Sequence, residues 1–163
     1  MKYRLLTEEE LSATENQFIN FLALNGIPSD YWEKIKKNDQ VRVNSLMEEF
    51  SDFIFDNILR NVDIIEHRSA NSFTLYYSET NNSLSLLRIE TKIPGLFNFN
   101  NEFEITELVN LFIDYSDQIS IIKGEKKEIE DKKMEFFSLL ESGGRISKND
   151  SLLKSLKDLA EKK

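Results

Sequence analysis

The chain's one histidine, His67, stands four residues after Asp63 in a run rich in β-forming side chains. On an extended strand Asp63, Ile65 and His67 share a face, which puts carboxylate and imidazole on the same side of the sheet. Such a pair could hold a metal or act as acid and base. Either use needs a third group, and none is evident, so a surface histidine at a strand end is the plainer expectation. Glu48, Asp52 and Asp56 recur every four residues, with Glu49 alongside, and build an acidic ridge on one helix face. A two-metal carboxylate centre would need a Glu-x-x-His motif on two helices, and neither copy exists. The ridge is therefore expected to be a solvated face or a surface on which a partner docks.

Two further segments could bind. Leu96-Phe97-Asn98-Phe99-Asn100-Asn101-Glu102-Phe103 follows Pro94-Gly95, and its phenylalanines either pin a loop to the core or expose an apolar patch, with Phe97 and Phe99 as the contacts. Gly143-Gly144-Arg145 precedes Ser147, read as the cap of a last helix. Gly144, Arg145, Lys148 and Lys154 could there meet an anion or RNA at a helix start. Phe73, Leu75 and Tyr77 share one strand face, which reads as core packing rather than as a base-stacking platform.

The composition excludes more than it selects. With no cysteine there is no disulfide, thiolate zinc site, iron–sulfur cluster or cysteine nucleophile. Five scattered glycines spell no phosphate loop or dinucleotide fingerprint, and a serine triad would hang on His67 alone. No cofactor is expected, and no residue qualifies as catalytic or as a metal ligand. The net charge of −8 is uneven: residues 1–61 carry −4, residues 62–122 carry −6 and residues 123–163 carry +2. The middle should repel phosphate backbones, and the C-terminal lysines alternate with acids as on an ordinary solvated helix. No apolar run suits a secretion signal or a membrane span, so the cytoplasm is the expected location.

The elements that position these residues follow from spacing. Thr7 with Glu10 forms a capping box, and Leu11, Phe18, Phe21 and Leu22 continue one helix over 8–25, stopped at Gly26. Pro28-Ser29 opens a short second helix with Tyr31, Trp32 and Ile35. Asp39 caps a third that runs to about Arg60 with a wide apolar stripe from Val43 to Ile58. Runs over 62–67, 73–78 and 84–91 read as an antiparallel meander, the last with either a bulge or burial on both faces. Residues 93–99 read as an edge strand or a loop. Asn101 with Glu104 opens a fourth helix, 119–122 a further strand, 125–141 a charged helix and Ser147 the last helix. The expected fold is α+β: three N-terminal helices, a meander of three to five strands and C-terminal helices. One domain is expected over 1–146, with 147–163 a loosely docked helix.

The opening Met1-Lys2-Tyr3-Arg4-Leu5-Leu6-Thr7-Glu8-Glu9-Glu10-Leu11, then Phe18-Ile19-Asn20-Phe21-Leu22-Ala23 with Gly26-Ile27, Trp32 and Phe50-Ser51-Asp52, resembles an uncharacterised family of small Bacteroidota proteins. Gly143-Gly144-Arg145-Ile146-Ser147-Lys148 resembles the step into that family's last helix. The resemblance covers residues 1–68 and 139–156. It implies a bacterial cytoplasmic protein and brings no activity, cofactor or catalytic residue. Three functions follow in order. The first is a non-enzymatic interaction or regulatory protein that binds another protein through Glu48, Asp52, Asp56, Phe97 and Phe99. The second is an RNA- or ribosome-associated factor using Lys132, Lys133, Lys148, Lys154 and Lys157. The third is an enzyme around Asp63 and His67.

Overall fold

The computed structural model describes residues 1–162; Lys163, the end of the expected C-terminal helix, lies outside the described residues. The architecture is α+β, with seven helices and a five-stranded antiparallel sheet among those residues. The chain forms two compact units, Met1–Arg60 and Asn61–Lys163.

The first unit is helical. Where one helix is expected over 8–25 there are two, α1 (Glu8–Ala13) and α2 (Glu15–Leu24). The break falls at Thr14, whose hydroxyl donates to the carbonyls of Glu10 and Leu11 at 2.8 and 3.2 Å and pulls the backbone out of helical geometry. The capping box of Thr7 and Glu10 is formed. Gly26, at φ 72°, closes α2: its own amide reaches the Ala23 carbonyl and that of Ile27 reaches Leu22. The chain then makes α3 (Ser29–Asn38) and the long α4 (Gln40–Arg60), where the Asp39 carboxylate accepts from the Arg42 amide. Leu22, Ile27, Ile35 and Leu46 form the core, with Phe18, Phe21, Trp32 and Val43 packed on it. The rings of Phe18 and Trp32 meet edge to face at 5.4 Å.

The second unit is built on strands β1 (Ile64–Arg68), β2 (Ser72–Tyr77), β3 (Ser83–Thr91), β4 (Ile119–Lys127) and β5 (Arg145–Ser147), in the order β4-β3-β2-β1-β5. The β2–β3 and β3–β4 registers run unbroken, so β3 carries no bulge. Its double pattern arises because Leu87 and Ile89 are buried on one face and Leu84 on the other. On the Leu87 face lie α5 (Ile105–Asp114) and α7 (Asp150–Lys162), which bury Leu108, Leu111, Leu152 and Leu156 against Phe73, Leu75 and Ile89. The helix α6 (Lys132–Glu141) packs on β1 and β3.

Three boundaries differ from expectation. Residues 125–127 continue β4 instead of starting a helix, because Asp131 caps α6 by accepting from the amides of Lys133 and Met134. The cap of α5 is Glu104, boxed with Glu107, and not Asn101. Ser147 ends β5, and the cap of α7 falls to Asn149, which accepts from the Leu152 amide at 2.9 Å. Residues 93–99 form no strand.

Candidate functional site

The acidic ridge of α4 is spoken for by the chain itself. The two Asp52 carboxylate oxygens accept from the backbone amides of Lys2 and Tyr3 at 2.7 and 2.9 Å. Asp56 accepts the Tyr3 hydroxyl at 2.7 Å and pairs with Lys2, while the Met1 amino group lies 3.8 Å from Glu48. The Ser51 hydroxyl accepts from the Leu6 amide and donates to the Met47 carbonyl. Tyr3 is buried beside Phe55, and burial with the Asp56 bond pushes its phenol up to about 12. Arg4 forks onto Glu10 at 2.7 and 2.8 Å, and that bond holds the Glu10 carboxyl down to about 2. Asp52, Asp56 and Glu48 thus hold an N-terminal strap. The central acceptors of the ridge already have donors within the chain.

The phenylalanine loop is pinned to the core. Phe99 is fully buried, its ring 6.4 Å from Phe73, and Phe103 meets Phe73 at 5.2 Å. Phe97, half-buried, packs on Phe99 at 4.8 Å. The assignment of Phe99 as a partner contact is therefore corrected: no solvent reaches its ring. Arg68 lies over both Phe73 and Phe103.

Arg145 is likewise engaged. Its guanidinium donates to Glu66 Oε1 at 2.6 and 3.2 Å, and the same oxygen accepts from Arg68 Nε at 2.9 Å. Glu102 lies 3.4 Å from both arginines, and Glu66, Arg68 and Arg145 line a cavity of about 200 Å³ with Asn100 and Gly143. The Glu66 bond raises the Arg145 guanidinium above its ordinary value. Arg145, half-exposed, thus already meets two carboxylates of its own chain.

Gly144 is explained by space. A Cβ there would stand 2.6 Å from His67 Nε2 and 2.7 Å from both Ile65 Cγ2 and the Leu139 carbonyl. Gly143, at φ 97°, makes the left-handed stop of α6, with the Gly144 amide returning to Leu139 at 3.0 Å. His67 Nε2 and the Ser142 hydroxyl also reach that carbonyl, each at 2.9 Å. Asp63 is exposed, outside β1, and pairs with Lys132 at 3.3 Å. The two side chains proposed as an acid–base pair thus serve separate structural contacts. Among the described residues no group of three or more His, Asp or Glu could hold a metal ion.

The C-terminal lysines are divided. Lys132 meets Asp63, and Lys157 meets Glu79 at 2.5 Å while lying over Tyr77. Lys148 and Lys154 are exposed. Sequence reasoning missed a groove at the C-terminal ends of α5 and α7, where Val109, Phe112, Ile113 and Leu159 line about 470 Å³ with Ser116, Asp117 and Lys162 at the rim. Ile113 is 73% exposed there. Its signal was available: on α5, Val109 and Ile113 stand four apart, beside the stripe of Leu108, Leu111 and Phe112 that faces the sheet.

The fold and these contacts define an α+β protein of two compact units, with a helical bundle preceding an antiparallel meander and its helices. The chain belongs to a family of unknown function, DUF6495, whose model matches residues 1–161. No curated protein and no solved structure matches it. Among the described residues no helix is long and apolar enough to cross a membrane.

Proposed function

We propose that this protein is a non-enzymatic interaction protein that binds another protein through the apolar groove between α5 and α7. The observation that carries the reading is Ile113, an aliphatic side chain 73% exposed at the mouth of a groove whose floor includes Phe112 and Leu159. Exposed apolar surface with a polar rim is the usual mark of a docking site, because covering it releases ordered water. The partner supplies an apolar side chain or helix face of matching size. The bacterial, Bacteroidota and cytoplasmic setting implied by the resemblance is part of the same proposal.

The test is affinity purification of the tagged protein from its host, with and without ribonuclease, beside the variant Ile113→Asp. The expected result is a ribonuclease-resistant partner retained by the parent and lost by the variant, whose circular dichroism is unchanged. Equal retention by both would remove the groove from the account. A profile of ribosomal or RNA-bound proteins that vanishes on ribonuclease treatment would transfer the function to Lys148, Lys154 and their neighbours.

A further inference from the structure

The strand β4 pairs with β3 along its whole length, from Ser83 opposite Lys127 to Thr91 opposite Ile119. On its other side no strand of the sheet follows among the described residues. Its outer half is exposed: Ile122, Lys123, Glu125, Lys126 and Lys127 all face solvent. A nine-residue open edge presents a row of backbone donors and acceptors that another extended chain can complete.

We propose that this edge binds β4 of a second copy of the chain, antiparallel and centred on Gly124. The charge pattern selects both the occupant and the register. Two-fold pairing about Gly124 sets Lys123 of each copy opposite Glu125 of the other, so one cross-strand ion pair is made twice on the same face. Centring on Lys123 or on Glu125 places that residue opposite its own charge; centring on Lys126 does the same to Lys126, although it sets Glu125 opposite Lys127. Centring on Ile122 leaves Lys123 opposite Ile121 and Glu125 opposite the buried Ile119. Like charges thus oppose the registers centred on Lys123, Glu125 and Lys126, while the one centred on Ile122 forgoes the ion pairs.

Two further features suit the same register. On the opposite face Ile122, 44% exposed, comes to lie across from the aliphatic stem of Lys126, whose ammonium stays with its own Glu135 at 2.5 Å. At the two-fold itself stands the strand's one residue without a side chain. The place of its Cβ is covered by Leu86, 3.1 Å away within the same copy, so the centre of the pairing is smooth but not hollow. The product is a continuous sheet of ten strands.

The experiment is sedimentation velocity of the full chain over a concentration series, for the parent, Lys123→Glu, Glu125→Lys and the double exchange. Both side chains are exposed, so folding is preserved, and circular dichroism checks it. The expected result is a concentration-dependent dimer that each single exchange weakens about tenfold or more and the double exchange restores. A parent that stays monomeric at every concentration overturns the proposal. So does a dimer indifferent to all three variants, since it would use another surface.

Discussion

At the residue scale, polar side chains that look free in sequence are donors and acceptors to main chain or to one another in the fold. Asp52 closes two amides of the N-terminal strap, and Arg4 closes both oxygens of Glu10. The second contact has a measurable pH signature. Glu10 is held to about 2 from an ordinary 4.5, chiefly by its hydrogen bond from Arg4. Its folded value lies below its unfolded value, so the contribution to stability is complete above the ordinary carboxylate range and is lost as pH falls toward 2. Carboxyl resonances followed through an acid titration should show Glu10 titrating near 2. In Arg4→Gln it should return toward the ordinary range; an unmoved midpoint would remove Arg4 as the cause. The Leu139 carbonyl is the other convergence, accepting from Gly144, Ser142 and His67. A carbonyl can only accept, so Nε2 of His67 carries a proton whenever that bond is made.

At the scale of elements, what was legible depended on whether local spacing or distant contact decides. The stripe from Val43 to Ile58 and the left-handed stops at Gly26 and Gly143 are local patterns, and α4, α2 and α6 end where those patterns say. The three strands of the meander follow from β-branched and aromatic runs for the same reason. The segment 119–127 was ambiguous because Lys123, Glu125, Lys126 and Lys127 suit a solvated helix as well as an open-edged strand; only pairing with β3 decides. Asn149 and Ser147 are both competent caps, and the pairing of Ser147 with Ile64 in the sheet leaves the role to Asn149. The candidate sites were harder to read. No local rule connects Tyr3 to Asp56 across some fifty positions, although a basic opening and an acidic ridge in one chain were a clue. The phenylalanine loop offered two outcomes in sequence, and packing chose the inward one for Phe99. Phe99→Ala is therefore expected to cost about 3–5 kcal/mol, read from urea unfolding of the variant, because it empties a fully enclosed site beside Phe73 and Phe103. A loss below about 1 kcal/mol would mean the loop is not held by that ring.

At the scale of the whole molecule, the formal charge of −8 divides equally, with −4 on residues 1–60 and −4 on residues 61–163. Neither unit is a cationic body. Binding to single-stranded RNA, followed by anisotropy at rising salt, should be weak, with log affinity almost flat against log salt. A steep linear fall would instead count several neutralised phosphates and reveal a basic face. The division into units has one more consequence, and it concerns light rather than charge. Trp32 is the chain's single indole, and it sits edge-on to Phe18, packed against the core of Met1–Arg60. Excitation at the red edge of protein absorption is therefore blind to the sheet and its helices. It follows the melting of the helical bundle by itself, while the amide signal of circular dichroism sums both parts, so the chain carries its own selective probe without any label.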